Sequence, residues 1–283
     1  MSAKIHPTAV IAPGAELGRD VEIGPYTVIG PSVRIGDDST IGPQVVIDGV
    51  TVIGRDNHFI GQANIGGAPQ DISYEDEPTC LEMGERNKIR EFVTINRGTL
   101  KGGGLTRIGS GCLFMACSHV AHDCVIEDGV MLGNNVLLAG HVKVGAGAIV
   151  NGAAAAHQFV TIGRNAYVGG LTRVIQDVPP FMILEGHPAR VRKVNVIGLE
   201  RAGVPAEEVQ ELRLAFRRLF RSGEPRHRIL DDLEHRGPRP LLQELIRSLR
   251  ETELGEKGRY RETLRDEFRK LGEERICGGI RTS

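Results

Sequence analysis

Residues 17–42 read LGRDVEIGPYTVIGPSVRIGDDSTIG, in which an aliphatic residue followed by glycine returns every six positions from Leu17 to Ile41. Neither an amphipathic helix nor an alternating strand has a period of six. The period is typical of a hexapeptide β-helix, in which each hexad supplies one short strand and one corner. The aliphatic side chain then points into a prism, and glycine permits a tight corner. This stretch therefore predicts a β-helix.

The period extends over most of the chain. Apolar residues keep it from Ile11 to Ile65, resume it from Met83 to Ile95, and keep it again from Ile108 to Val174. Three hexads make one coil of about 18 residues. The repeats therefore predict about eight coils and, at a strand spacing of about 4.8 Å, a prism on the order of 40 Å long.

Two segments break the period. Residues 67–82 carry Asp71 and Glu77 at hexad positions, and residues 96–107 contain an extra residue and three consecutive glycines. Both segments are expected to be loops that leave the prism. Loops held on a rigid scaffold often carry function.

A change of composition follows Pro179 and Pro180, where the six-residue period stops and charged residues become dense. Helical spacing of apolar residues predicts helices over 206–222 and 241–254, with a weaker third candidate over 260–271. We therefore predict three regions, which are a β-helix over 1–190, a helical domain over 191–275, and a tail over 276–283 that is a candidate for disorder.

Overall composition bounds the class of protein. Lys and Arg total 35 against 36 Asp and Glu, for a net charge of −1, which argues against a protein that coats nucleic acid. We find neither a secretory signal nor an apolar run long enough for a membrane helix, and we predict a cytoplasmic protein. The five cysteines form no CxxC pair and are expected to be free thiols.

Three histidines fall in one column if each coil has 18 residues. His122, then Gly140 with His141, then His157 with Gln158 lie above one another at one edge of the prism. Such a column is consistent with a metal site, with a general base and its binding groups, or with a surface or subunit interface. Spacing alone leaves these possibilities open. The nearby run Cys117–Cys124 is not expected to bind zinc, because an extended path spreads its side chains apart.

Several strings carry a resemblance to a known family. They are HVAHDC at 119–124, NN at 134–135, LAGHV at 138–142, VNG at 150–152, HQF at 157–159, QDVPP at 176–180 and NVIGLER at 195–201. Together they resemble the UDP-N-acetylglucosamine O-acyltransferases that open lipid A biosynthesis, over roughly residues 5–222.

The resemblance implies a fold, a reaction and partners. The fold is a left-handed parallel β-helix followed by a smaller C-terminal α-helical domain, assembled as a homotrimer with active sites between subunits. The reaction transfers a (3-hydroxy)acyl chain from acyl carrier protein to the 3-position of UDP-N-acetylglucosamine. No cofactor and no metal are expected, because the donor is carried on the phosphopantetheine arm of acyl carrier protein. Nucleic acid and an integral membrane segment are not expected either.

The same resemblance assigns catalytic roles. His122 is implied to be the general base for the sugar hydroxyl, with Asp123 orienting its ring. The Gly140 N–H is implied to stabilise the oxyanion of the tetrahedral intermediate. Gly170 is implied to leave the far end of the acyl groove open and so to set the length of the acyl chain.

Binding residues follow from the same motifs. The resemblance implies that two residues reach the nucleotide from the neighbouring subunit, namely Asn195 and Arg201. It places the others near the sugar or the acyl chain, and these are Asp71, Ser73, Asn96, His141, His157 and Gln158.

Two departures concern the acceptor. Ser73 stands where the family usually has lysine, and Asn96 where it usually has histidine. Both changes lower the positive charge near the sugar 3-position, so transfer to the 3-amino analogue, giving an amide, is an alternative. A related N-acyltransferase of the same pathway is disfavoured because it has an additional N-terminal domain. A zinc-dependent hydratase and a nonenzymatic trimeric scaffold are weaker alternatives.

Overall fold

The chain folds into a three-sided prism of parallel strands followed by a group of helices. The computed structural model describes residues 3–274 of the 283-residue chain. Consecutive members of each sheet lie three strands apart in the chain, except for the last two strands of the largest sheet, and the sheets contain eleven, nine and eight strands. The prediction of a parallel β-helix is thereby confirmed.

Most strands are only two residues long and end on the aliphatic residue of the hexad. In chain order they are β1 (Lys4–Ile5), β2 (Val10–Ile11), β3 (Glu16–Leu17), β4 (Glu22–Ile23), β5 (Val28–Ile29), β6 (Val33–Ile35), β7 (Thr40–Ile41), β8 (Val46–Ile47), β9 (Val50–Ile53), β10 (His58–Phe59), β11 (Asn64–Gly67), β12 (Cys80–Met83), β13 (Lys88–Ile89), β14 (Thr94–Asn96), β15 (Leu105–Ile108), β16 (Leu113–Phe114), β17 (His119–Val120), β18 (Val125–Ile126), β19 (Met131–Leu132), β20 (Leu137–Leu138), β21 (Lys143–Val144), β22 (Ile149–Val150), β23 (Ala155–Ala156), β24 (Thr161–Ile162), β25 (Tyr167–Val168), β26 (Arg173–Val174), β27 (Met182–Glu185) and β28 (Arg190–Val194).

The core is a set of ladders along the prism axis. Ile23 pairs with Ile41 and Ile41 with Phe59, eighteen residues apart in each case. The first excursion lengthens a coil, so that Phe59 pairs with Ile89, and the second makes Ile89 pair with Phe114. Since these side chains are almost fully buried, stacking of coils buries a core that no single coil could bury.

Both excursions lie where the period is broken. The first leaves the prism after β11 and returns at β12, and the second leaves after β14 and returns at β15. The second excursion contains a short 3₁₀ turn, Leu100–Gly102, which Thr99 caps through its side chain.

Corners of the prism use left-handed backbone. Asp123, His141 and Phe159 occupy the same corner of three successive coils, with φ of 62°, 64° and 65°. A non-glycine residue in this region is uncommon, and the stacked neighbours hold it in place. This repeated corner fixes the positions of the histidine column.

The helical region begins after the antiparallel pair of β27 and β28. Its helices are α1 (Val196–Arg201), α2 (Ala206–Arg221), α3 (Arg226–His235), α4 (Pro240–Leu254) and α5 (Arg265–Glu274), with a 3₁₀ turn at Tyr260–Leu264 before α5. Helices α2, α3 and α4 bury leucines and phenylalanines in a second core, which includes Leu212, Leu230 and Leu245.

Three details of the helical region differ from the sequence-based expectation. Helix α1 is absent from that expectation, because it has only six residues and buries only Leu199. Helix α3 is absent as well, because only Ile229, Leu230 and Leu233 of its ten residues are buried apolar side chains. The weak third candidate over 260–271 is a 3₁₀ turn followed by α5, which ends later, at Glu274. The predicted tail 276–283 lies outside the described residues.

Cysteines and membrane propensity complete the description. Cys112, Cys117 and Cys124 are free thiols, as expected. The expectation is wrong for Cys80, which is disulfide-bonded, because residue spacing does not report which thiols meet in space. Between residues 3 and 274, no helix has both the length and the apolar composition needed to cross a membrane.

Candidate active site

The predicted histidine column lies at one corner of the prism. The His141 N–H donates to the His122 carbonyl at 3.0 Å, and the Phe159 N–H donates to the Gly140 carbonyl at 3.1 Å. These bonds join successive coils directly at the corner. The spacing of eighteen residues therefore places the imidazoles of His122 and His141 together, with ring centroids 5.2 Å apart and edge-to-face geometry.

Asp123 is the buried anchor of the site. One carboxylate oxygen accepts from the Thr99 N–H at 2.7 Å, and the other accepts from the Thr99 hydroxyl at 2.6 Å and lies 2.7 Å from His122 Nδ1. An ionised carboxylate can only accept hydrogen bonds, so His122 carries its proton on Nδ1. The other ring nitrogen, Nε2, is then left with a lone pair.

Gly140 lies against the imidazole of His122. A Cβ on residue 140 would lie 2.5 Å from His122 Cε1 and 2.8 Å from Nε2, closer than side-chain atoms can pack. The Gly140 N–H donates no hydrogen bond to any residue in the range 3–274. Absence of a side chain thus lets the imidazole of His122 lie beside a backbone donor.

His141 is held differently from His122. Its ring stacks on Phe159 with centroids 4.2 Å apart and planes 3° from parallel. Its Nδ1 finds no hydrogen-bond partner among the described residues and lies 3.7 Å from the Asp123 carboxylate. Burial lowers the pKa of His141 to about 4, although Asp123 acts in the opposite direction. At neutral pH His141 is therefore uncharged.

The geometry also bears on metal binding. His122, Asp123 and His141 each offer one ligand atom, and these atoms lie within 4.8 Å of one another. Both oxygens of Asp123 already accept hydrogen bonds from Thr99, however, and one is also bonded to His122. These contacts favour a hydrogen-bonded base over a metal-ligand set.

A cleft of about 750 Å³ opens onto the column. Its size is within the range of pockets that enclose a small-molecule ligand. Residues from the corner column, both excursions and helix α5 line it, and they are Gln70, Asp71, Ile72, Leu100, Lys101, His122, His141, Gln158, Phe159, Arg265, Asp266, Arg269 and Glu273.

The two excursions meet at the edge of this cleft. Ser73 donates from its N–H to Asp71 at 2.9 Å and from its hydroxyl to the same oxygen at 2.7 Å, and these bonds lower the pKa of the Asp71 carboxyl. The Lys101 ammonium in turn donates to the Ser73 hydroxyl. A cation therefore stands beside Ser73, although residue 73 itself is uncharged.

The structure does not bring every predicted site residue to the cleft of one chain. Asn96 instead ties the excursions together, since its Nδ2 donates to the Ala68 carbonyl at 2.7 Å. The His157 Nδ1 lies 3.0 Å from the Gln158 carbonyl, outside the cleft lining. Gly170 lies at a different corner, where an added Cβ would meet only the Gly152 carbonyl, at 3.2 Å.

The two residues expected to act from a neighbouring subunit also lie away from this cleft. Asn195 is buried and caps α1, accepting from the Gly198 N–H at 3.2 Å. Arg201 is exposed at the last turn of the same helix. Within one chain Asn195 therefore has a structural role, and neither residue lines the cleft.

Sequence reasoning misses several residues of the site. Phe159 follows the His157–Gln158 pair and Thr99 lies in the second excursion, but neither carries a sequence signal for its role. Lys101 lies in a glycine-rich loop that shows no pattern pointing to the site. Nothing in the sequence indicates that Arg265 of α5 lies beside the histidine column. Long-range docking of this kind has no periodic signal.

Known proteins match both parts of the chain. Residues 177–258 match the family model of the second domain of UDP-N-acetylglucosamine O-acyltransferases, and residues 17–49 and 105–140 match bacterial transferase hexapeptide repeats. An acyl-[acyl-carrier-protein]–UDP-N-acetylglucosamine O-acyltransferase of Verminephrobacter eiseniae is 51% identical over 221 residues, which cover 78% of this chain and 84% of the relative. The chain belongs to this O-acyltransferase family.

Solved structures of the O-acyltransferase family agree. A UDP-N-acetylglucosamine acyltransferase from Campylobacter jejuni is similar with a TM-score of 0.83 and 38% identity, covering 88% of this chain and 96% of the other. The enzyme from Arabidopsis gives a TM-score of 0.77 and 34% identity, with 88% and 96% covered. The resemblance drawn from the sequence motifs is confirmed.

Proposed function

We propose that this protein transfers an acyl chain from acyl carrier protein to the 3-hydroxyl of UDP-N-acetylglucosamine, the first step of lipid A synthesis. The observation that carries the proposal is the His122–Asp123 pair at the cleft, with the backbone of Gly140 beside it. The names of the relatives at about 50% identity support the same substrates.

His122 acts as the general base in this proposal. With its Nδ1 proton held by Asp123 at 2.7 Å, the neutral imidazole offers Nε2 to the sugar hydroxyl. As the hydroxyl oxygen attacks the thioester carbonyl, its proton passes to Nε2. The resulting imidazolium is stabilised by the Asp123 carboxylate and can return the proton to the departing thiolate.

Gly140 supplies the second half of the chemistry. Attack on the thioester places negative charge on the carbonyl oxygen, and a backbone N–H fixed beside the base can stabilise that charge without reorganising. The unbonded Gly140 N–H, at the corner where the ring of His122 lies, supports this role. No residue of the proposed step requires a cofactor or a metal.

Lys101 bears on the choice between hydroxyl and amine acceptors. The amide alternative depends on a loss of positive charge at residue 73. Because the Lys101 ammonium donates to the Ser73 hydroxyl, positive charge is present at this edge of the cleft. A partly protonated amine would be repelled there, so the contact favours the hydroxyl acceptor.

The proposal also includes structural and cellular features that the family implies. They are the left-handed coil, the homotrimer, the cytoplasmic location, acyl carrier protein as partner, the nucleotide contacts of Asn195 and Arg201 across a subunit boundary, and the control of chain length by Gly170. Exposure of Arg201 and of Gly170 is compatible with contacts to a second chain or to a ligand.

The proposal is tested by identifying products. The purified protein is incubated with acyl-carrier-protein thioesters of several lengths and with equal amounts of UDP-N-acetylglucosamine and its 3-amino analogue. We expect a mass increase corresponding to one acyl group, on the hydroxyl sugar, in a product cleaved by mild alkali. If the only product is stable to alkali, the protein forms the amide and not the ester. If no acylated product forms with any donor, the proposal is refuted.

A further inference from the structure

The C-terminal end of the described chain returns to the active site. We call residues Arg259–Glu274 the strap; it comprises the 3₁₀ turn Tyr260–Leu264 and helix α5. It starts one residue after the stretch that matches the second-domain family model, which ends at residue 258. Four strap residues line the cleft, namely Arg265, Asp266, Arg269 and Glu273.

One end of the strap is fixed to the prism through Asp177, which lies eighteen residues after Phe159 in the chain. One Asp177 oxygen accepts from the Thr161 N–H at 2.7 Å and the other from the Tyr260 N–H at 2.9 Å, while the Asp177 N–H donates to the Gly258 carbonyl at 2.8 Å. Arg259 is buried next to these bonds and donates to Glu262 through Nε at 2.7 Å and to the Ile175 carbonyl at 3.2 Å.

The other end is fixed to the second excursion. Gly272 of α5 lies so close to the Leu100 carbonyl that a Cβ at residue 272 would overlap the oxygen. A Cβ on Gly103 would reach the Phe268 carbonyl at 3.7 Å and the Leu271 side chain at 3.9 Å. The strap is therefore held at both ends by close backbone contacts.

Between its two ends the strap contacts the histidine column. The Arg261 Nε donates to the His141 carbonyl at 3.0 Å, and its guanidinium lies over the Phe268 ring at 4.8 Å. The Arg265 guanidinium lies over the Phe159 ring at 4.3 Å, and the same ring stacks on His141 with centroids 4.2 Å apart. The Phe159 ring thus connects a guanidinium of the strap to the imidazole of His141.

We propose that the strap is a fixed wall of the active site, in which Arg261 and Arg265 are positioning residues that hold His141 against His122 and Asp123. This inference rests on the proposed acyl transfer for its kinetic consequence. A cover that must open for each turnover would be expected to have weak contacts at one end. Here both ends of the strap are closely packed. The buried ion pair between Arg259 and Glu262 also stabilises the turn at the start of the strap.

The wall sets the environment of His141. Its imidazole is faced by His122 and Asp123 from the column and by Arg261 and Arg265 from the strap, and both arginines disfavour a charged imidazole. Closing this side also leaves His141 only 8% exposed to water. His141 is then a neutral, oriented group at the edge of the reacting atoms, and its orientation depends on a segment more than a hundred residues away in the chain.

The first variant displaces the strap without changing a cleft residue, because Gly272→Val introduces a clash with Leu100. A chain that ends at Gly258 removes the strap together with the four cleft residues that it carries. Lys270→Ala, on an exposed position of the same helix, is the matched control. Circular dichroism checks that each variant keeps the β-helix.

Two readouts are needed. The pKa of His141 is followed by NMR of the histidine ring protons, and the His141 resonance is the one that is lost in His141→Gln. Steady-state kinetics gives kcat and KM separately. In both strap variants we expect the His141 pKa to rise from about 4 toward the ordinary value of 6.5. We expect kcat to fall roughly 10- to 100-fold, since small displacements of catalytic groups have effects of this size. The control should match the wild type.

Single substitutions then assign the effect. Arg261→Ala should lower kcat and raise the His141 pKa, and Arg261→Lys, which keeps a donor, should restore part of each. A rise in kcat when the strap is displaced would overturn the proposal and would make the strap an inhibitory cover. If the His141 pKa, kcat and KM all stay unchanged, the strap has no role in the active site and the proposal is also overturned. Because the NMR arm needs no substrate, failure of the wild-type protein to transfer acyl groups would count against the proposed function alone.

Discussion

Replacing Gly140 by alanine perturbs His122, the proposed base, through a single methyl group. The added Cβ would lie 2.5 Å from His122 Cε1 and 2.8 Å from Nε2. Carbon atoms pack at about 3.5–4.0 Å, so the imidazole must move away by about 1 Å. A displacement of that size disturbs the bond between His122 Nδ1 and Asp123 and moves Nε2 away from the position proposed for the acceptor hydroxyl.

The expected magnitude follows from that displacement. Misplacing a reacting group by about 1 Å costs on the order of 100-fold in rate. The backbone N–H survives in Gly140→Ala, so the loss reports the position of the base and not the oxyanion donor. Overpacking at a buried corner should also lower the free energy of unfolding by about 1–3 kcal/mol.

The assay compares kcat for acyl transfer with the melting temperature. Gly152→Ala is the matched control, because residue 152 occupies a similar corner on another edge and its Cβ would meet only the Asn134 carbonyl, at 3.3 Å. We expect the control to keep nearly full activity. A folded Gly140→Ala protein with kcat within threefold of the wild type would refute the placement of His122 against Gly140.

Three further predictions concern other parts of the molecule. Burial lowers the pKa of His141 to about 4 in the folded protein, whereas its ordinary value is about 6.5, so the free energy of unfolding should fall by up to about 3 kcal/mol as the pH drops through this window. Burial also raises the pKa of Asp177 to about 6, which makes the free energy of unfolding rise as the pH drops. The measurement is therefore the difference between wild type and His141→Gln in denaturant titrations at several pH values. Gly170→Met should shift donor preference toward acyl chains several carbons shorter, each lost methylene being worth about 0.8 kcal/mol, and an unchanged product profile from a folded variant would end the chain-length role. Arg201→Ala should raise KM for the UDP-sugar far more than KM for the acyl donor, and equal changes would assign Arg201 to the fold or to a subunit contact.

Periodicity explains why much of the fold could be predicted from the sequence. A hexad spacing of aliphatic residues determines strand, corner and the eighteen-residue ladder at once, and the ladder from Ile23 to Ile41 to Phe59 has that register. The same spacing placed His122 and His141 at one corner, where their rings meet. A column of this kind follows from the repeat and needs no knowledge of distant contacts.

Other parts of the site depend on contacts that have no period. Arg265 reaches Phe159 only because α5 docks on the second excursion, and that docking depends on a glycine at 272 lying against the Leu100 carbonyl. Lys101 restores a charge beside Ser73 by folding one loop onto another. Such contacts are determined by tertiary packing, which overrides the local signals that sequence patterns report.

The most direct measurement of the central claim is the transfer rate of His122→Ala. The change removes the proposed base at a corner outside the aliphatic ladders, and His58→Ala, at an exposed histidine of β10, is the control. General-base catalysis contributes about 10²- to 10⁴-fold, so we predict a loss of at least about 100-fold in kcat with the melting temperature nearly unchanged and the control fully active. Transfer within tenfold of the wild type by a folded His122→Ala protein, or turnover that requires added zinc, would contradict the account.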